Sequence, residues 1–105
     1  MSNRPVKQST GRVALDRTAA EELARTLRAV ADPTRLQILS IVLGSAEGRA
    51  TVGQLADTLM LSQPTVTHHV RILVSDGFLK REQAGKLGWL SVDPGRRAAV
   101  EDFLR

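Results

Sequence analysis

Apolar residues recur along this chain with two different periods. From Asp16 onward, Leu23, Leu27 and Val30 stand at i, i+4 and i+7, and Ala20 and Ala24 widen the stripe. That spacing predicts an amphipathic helix capped by Asp16 or Thr18. Glu21 and Glu22 would lie in its first turn, at the positive end of the helix dipole. Asp32-Pro33 restarts the chain, with the aspartate as N-cap and the proline at the first helical position, where its missing N–H costs nothing. Leu36, Ile38, Leu39, Ile41, Val42 and Leu43 leave the next helix almost no polar side, which marks it as the central core helix. Gly44, Ser45 and Gly48 close it in a loop.

Thr51 starts a third helix, "TVGQLADTL", with Val52, Leu55, Ala56 and Leu59 on one face. The tight connection "MLS" leads to Ser62, the cap of a fourth helix with Pro64 in its first turn. That helix runs to about Ser75, and Gly77 is its C′ residue. In "FLKREQAGKLGWLSV", two short runs flank Gln83-Ala84-Gly85-Lys86, the signature of a β-hairpin. "DPGRRAAVEDFLR" predicts a final short helix with Ala99, Val100, Phe103 and Leu104 apolar. The order is four helices, a hairpin and a helix. The expected fold is mainly α with a small β-hairpin: a winged helix-turn-helix spanning 16–105, its helix-turn-helix over about 51–75 and its wing over about 79–92.

Size and charge sharpen this picture. The chain's 105 residues allow one domain with a thin core, so pairing with a second copy is a natural way to bury the Leu23–Leu27–Val30 stripe. There are no cysteines, which removes disulfides, thiolate metal sites and cysteine nucleophiles together. No apolar run nears the roughly 18 residues of a membrane span. The start "MSNRPVKQST" lacks an apolar secretory core, so a cytoplasmic protein is expected. The net charge is +4, and residues 1–15 hold Arg4, Lys7 and Arg12 with no acid. This segment reads as a mobile basic arm on a nearly neutral domain, suited to an anionic partner such as nucleic acid. Aromatic residues make up only 3%, too few for a single-strand binder built on stacking platforms.

The adjacent histidines of "LSQPTVTHHVRIL" are the most conspicuous candidates for chemistry. On a helical wheel, Val66, Val70 and Leu73 fall together and define the buried side. Pro64, Arg71 and His68 fall on the side opposite the core, while His69 lies beside the buried line. The two rings therefore point different ways and cannot chelate one ion as a pair. His69 is expected to be a packed histidine with a satisfied hydrogen bond, and His68 faces outward. No serine–histidine–carboxylate set can be assembled, so no catalytic residue, cofactor site or metal site is assigned. The exposed face carries Gln63, Thr65, Thr67, His68 and Arg71 with no acid among them. Such groups suit the major groove: Gln with adenine, Arg with guanine, Thr with a phosphate or a thymine methyl. Ser62 and Pro64 complete the helix side of the expected DNA-contacting set. Lys80, Arg81 and Lys86 supply the wing, which would follow the phosphate backbone or minor groove.

At these residues the sequence resembles the ArsR/SmtB family of winged-helix bacterial repressors. "LRAVADPTRLQIL" resembles the family's second-helix signature, and "LADTLMLSQPTVTHHVRILVSDGFLKREQAGKLGWLSV" its recognition helix and wing; the likeness covers about residues 18–105. It implies a homodimer with the first and last helices at the interface, through Leu23, Leu27 and Val30 on one and Val100, Phe103 and Leu104 on the other. It also implies repression through an imperfect palindrome in double-stranded DNA. The family's metal sites are not matched. Where its arsenic and cadmium sensors carry cysteines in "ELCVCDL", this chain has "RATVGQL", with Thr51 and Gly53 at the cysteine positions. Where its zinc, nickel and cobalt sensors place Asp and His on the last helix, this chain has Asp93, Glu101 and Asp102 without histidine, which leaves an oxygen-only site open there.

Two functions from different classes follow. The first is a DNA-binding transcriptional regulator, a dimeric repressor that does not sense metal and whose inducer is unknown. The second is a winged-helix protein-interaction or antitoxin-like module that does not read DNA. An acid-free exposed face on the fourth helix favours the first, since a protein-binding face would show more apolar surface.

Overall fold

The computed structural model describes residues 14–105. The basic arm expected over 1–15 therefore lies, apart from its last two residues, outside the described residues. Among the described residues there are five α-helices, α1 (Arg17–Val30), α2 (Pro33–Gly44), α3 (Val52–Leu59), α4 (Gln63–Ser75) and α5 (Arg97–Phe103), and a short 3-10 turn at Ala46–Gly48. Three strands, β1 (Arg49–Ala50), β2 (Leu79–Ala84) and β3 (Leu87–Val92), form an antiparallel sheet in the order β1-β3-β2. This is the winged helix-turn-helix that the apolar pattern predicts.

The starts of α1 to α4 follow from their capping residues, whereas α5 begins without a side-chain cap. Asp16 Oδ1 accepts from the Ala19 N–H at 2.8 Å, and Asp32 Oδ1 from the Arg35 N–H at 3.0 Å. Thr51 and Gln54 form a reciprocal capping box at 3.1 and 3.0 Å. Ser62 Oγ accepts from the Thr65 N–H at 3.3 Å. The helix ends are equally local. After α4, the Phe78 N–H reaches the Leu73 carbonyl at 2.8 Å and the Gly77 N–H the Val74 carbonyl at 3.1 Å, with Gly77 at φ +79. That is a Schellman stop, and its hydrophobic contact joins two fully buried side chains, Leu73 and Phe78. The same bonding ends α3, where Leu61 N–H reaches the Ala56 carbonyl at 3.0 Å. Here the left-handed residue is Met60 at φ +57, a position that ordinarily favours glycine.

α2 is the centre of the core, with Ile38, Leu39 and Val42 fully buried. Leu55 of α3, Val66 and Leu73 of α4, Leu90 of β3 and Val100 of α5 close around it, also fully buried. The helix-turn-helix and the wing are thus two sides of one apolar cluster.

Three details differ from the sequence-based expectation. α1 begins at Arg17, so its first turn contains no acid and Glu21 instead pairs with Arg17 at 3.0 Å in the open. The segment 49–50, expected as loop, pairs with β3 at Ser91 and Leu90 and adds a third strand. A two-residue strand carries no readable period; pairing to β3 and burial of Ala50 define it. Third, Val30 and Val100, expected at the dimer interface, are both buried within the single chain. Their apolar area is already used by the core and adds little to a second copy. Leu23 and Leu27 remain 45% and 47% exposed, Phe103 40%, and Leu104 is half-buried against the core.

Candidate nucleic-acid interface

Ser62 fixes where α4 starts, and the core positions Val66, Val70 and Leu73 fix its roll. With those three buried, Gln63, Pro64, Thr65, His68 and Arg71 are exposed and Thr67 is half-buried at the edge, as the wheel places them. The exposed face holds no carboxylate; the nearest acid along the helix is its C-cap, Asp76. Two of the hydroxyls are already engaged with each other. Ser62 Oγ donates to Thr65 Oγ1 at 2.9 Å, so the start of α4 is stiffened before any ligand arrives. Gln63 lies back toward α3: a Cβ built on Gly53 would stand 3.8 Å from its amide nitrogen. The amide therefore sits where the two helices of the helix-turn-helix meet.

The register of the hairpin sorts the wing residues by face. Leu79 pairs with Val92, Arg81 with Leu90 and Gln83 with Gly88, so Arg81 shares the face of the buried Leu79 and Leu90. Lys80 pairs with Ser91 and Glu82 with Trp89 on the opposite face. Lys80 and Arg81, adjacent in sequence, are consequently on different sides of the sheet. Arg81 is held flat across Gly88, where an added Cβ would come within 2.8 Å of Nε and Nη2. Lys86 occupies the tip. Gly85 at φ +62 precedes it and Lys86 is outside the left-handed region, the sign pattern of a type II′ turn. On the outer face Arg49 stacks over Trp89 at 4.2 Å and pairs with Glu47 at 3.1 Å, bordering an open hollow of about 380 Å³ between α2, β1, α3 and β3.

The two histidines divide as their wheel positions require. His68 is exposed, while His69 is half-buried, with Nδ1 3.3 Å from Arg35 Nη1. Sequence reasoning passes over Arg35. Its only local signal is its place three residues after the capping Asp32, and its long-range partners follow from packing alone. The same arginine holds the Asp32 carboxyl below its ordinary value, first through its backbone N–H bond and further through its guanidinium, with His69 contributing. Among the described residues, no group of three His, Asp or Glu side chains is arranged to hold a metal ion.

A family profile described as a helix-turn-helix domain matches residues 30–82, which run from the end of α1 through α4 into the wing. The chain is 36% identical over 88 residues to a probable mercury resistance operon repressor of Streptomyces lividans, covering 84% of this chain and 68% of that one. The chain belongs to the ArsR/SmtB family. A solved structure at 25% identity agrees: a homodimeric winged helix-turn-helix DNA-binding domain from Mycobacterium bovis, a possible ArsR-family regulator, with a TM-score of 0.70 over 85% of this chain and 82% of that one. The ArsR-family regulator RHA00566 is 28% identical, with a TM-score of 0.63 over 81% and 84% of the two chains.

Proposed function

We propose that this ArsR/SmtB-family chain is a homodimeric, sequence-specific repressor that reads an imperfect palindrome in double-stranded DNA with α4. The observation that carries the reading is the acid-free, exposed face of α4 beside the wing. Gln63, Thr65, Thr67, His68 and Arg71 offer donors and acceptors to base edges, and Ser62 and Pro64 set the helix entry. Lys86 at the tip and Arg81 on the core-facing side are the backbone contacts of the wing, with Lys80 on its outer side. The Streptomyces lividans relative is described as a probable repressor, and the Mycobacterium bovis neighbour as a homodimer, which supports the same role and assembly here. Leu23, Leu27 and Phe103 are the exposed apolar residues that a second copy would cover, with Leu104 at the margin. A twofold axis then presents two α4 helices to half-sites about one helical turn apart.

No enzymatic role is assigned. With no cysteine, and only two histidines that are adjacent on one helix, the chain cannot assemble the tetrahedral nitrogen–sulfur site that zinc prefers. Micromolar zinc, nickel or arsenite should therefore leave the DNA complex intact, and control falls to an organic ligand in the dimer cleft, a partner protein or the concentration of the protein itself. The deciding experiment is selection of bound duplexes from a random pool, followed by a salt series. Enrichment of a palindrome and a steep loss of affinity with salt are expected. A flat salt response with no enrichment would instead mark a protein-interaction module.

A further inference from the structure

The side chain of Arg35 touches three elements at once. Its Nε donates to the Ala29 carbonyl at 2.6 Å, its Nη2 to the Arg28 carbonyl at 3.5 Å, and its Nη1 stands 3.3 Å from Nδ1 of His69. The two carbonyls belong to the last turn of α1, where the helix leaves acceptors unsatisfied and its dipole is negative. The cation is thus anchored on α1, rooted in α2 and extended to α4. Arginine has donors only, so its contact with His69 is a hydrogen bond only when Nδ1 keeps its lone pair and the ring proton is on Nε2.

We infer that Arg35 and His69 form a positioning tie that holds the reading helix α4 at a set angle to α1, and that only neutral His69 makes it. The inference rests on the reading above, in which α1 lies at the twofold axis and α4 in the groove. The geometry of the two α4 helices on DNA then depends on how each α4 is held against its own α1. Base-edge contacts demand close placement, whereas phosphate contacts tolerate a shift, so releasing the tie erodes specificity before general affinity. His69 itself does not touch DNA in this arrangement.

Protonating His69 removes the acceptor and sets two cations 3.3 Å apart. The charged groups that meet the ring are Arg35 and Asp32 from the start of α2 and His68 from its own helix, while α1 meets the cluster through carbonyls. Asp32 Oδ1 already accepts the Arg35 backbone N–H, so it offsets the added charge only in part. His68, edge-on to His69 at 5.4 Å, faces the DNA side, and its protonation would favour phosphate binding, the opposite sign.

Two measurements on the full chain test the tie. Nitrogen-15 spectra of the histidine side chains at about pH 8 should show His69 with its proton on Nε2; a proton on Nδ1 overturns the inference. This readout needs no variant. Second, in a His68→Gln background that removes the opposing titration, affinity for the selected operator should fall about tenfold between about pH 8 and pH 5.5. His69→Asn places a non-titrating acceptor near the Nδ1 position and should flatten that profile. His69→Leu should lower the ratio of operator to random-duplex affinity about tenfold even at the alkaline end. A profile unchanged by His69→Asn, or a His69→Leu variant as selective as its parent, would refute the tie. If the unaltered protein fails to distinguish operator from random duplex, the proposed function fails instead, and the tautomer alone decides the tie.

Discussion

Truncating Leu27 should dissociate the dimer without unfolding the chain. Leu27 is 47% exposed and stands outside the buried cluster, so its unburied half is the area available to a partner. Fully burying a leucine contributes about 1.5–3 kcal/mol, so covering the remaining half contributes about 1 kcal/mol per protomer. The twofold axis uses the residue twice, which brings the total to about 2 kcal/mol per dimer. Leu27→Ala should therefore raise the dimer dissociation constant by about 10- to 30-fold. Leu27→Glu adds the cost of a charge in a dry interface and should leave a folded monomer at micromolar concentration. Sedimentation equilibrium across a concentration series reads the dissociation constant, and circular dichroism monitors the fold. Val30→Ala is the contrast: its side chain belongs to the core, so it should lower thermal stability by about 2 kcal/mol with a smaller effect on association. A Leu27→Ala dimer constant within twofold of the parent, or monomeric parent protein at micromolar concentration, would refute the assignment of this face.

Three further outcomes follow from the reading face, the wing and the caps. Arg71→Ala and Gln63→Ala should each weaken the selected operator by about 1–3 kcal/mol, whereas Lys86→Ala should weaken all duplexes alike and lower the salt slope by about one unit; competition assays against random DNA separate the two behaviours. Gly88→Ala should displace the Arg81 guanidinium, because the new methyl would come within 2.8 Å of it; since a flexible side chain yields, melting temperature should hardly change while DNA affinity falls to that of Arg81→Ala. Asp32→Ala should destabilise the fold by about 0.5–2 kcal/mol near neutral pH through the lost cap. The Asp32 carboxyl titrates lower in the folded chain than its ordinary 3.8, so its contribution is present above that value and disappears as pH falls through the folded one. Denaturant midpoints of the two proteins should converge in strong acid.

Much of the fold is written in local signals. Asp16, Asp32, Thr51 and Ser62 each satisfy their own backbone donors within three residues, so the helix starts are legible without knowledge of what packs against them. Gly77 stops α4 and Gly85 turns the hairpin for equally local reasons. The exposed face of α4 is legible too, because the period of Val66, Val70 and Leu73 determines which side of a helix reaches water. That is why the proposed reading residues can be named before any contact is known.

Other features depend on partners distant in the chain. Val30 has the same spacing as Leu23 and Leu27, but the turn of α1 against α2 and α4 buries it and leaves the two leucines half-exposed; periodicity defines a stripe and not what covers each part of it. Val100 is taken by the core for the same reason. β1 exists only because β3 lies beside it, and the pairing of β2 with β3 decides that Arg81, and not Lys80, shares the face of the buried Leu79 and Leu90. The link from Arg35 to His69 spans 34 positions and three elements, and no local pattern encodes a hydrogen bond between groups that meet only after the helices pack. Local chemistry sets where each helix and turn begins and ends, whereas burial and long-range pairing decide which residues remain for a partner.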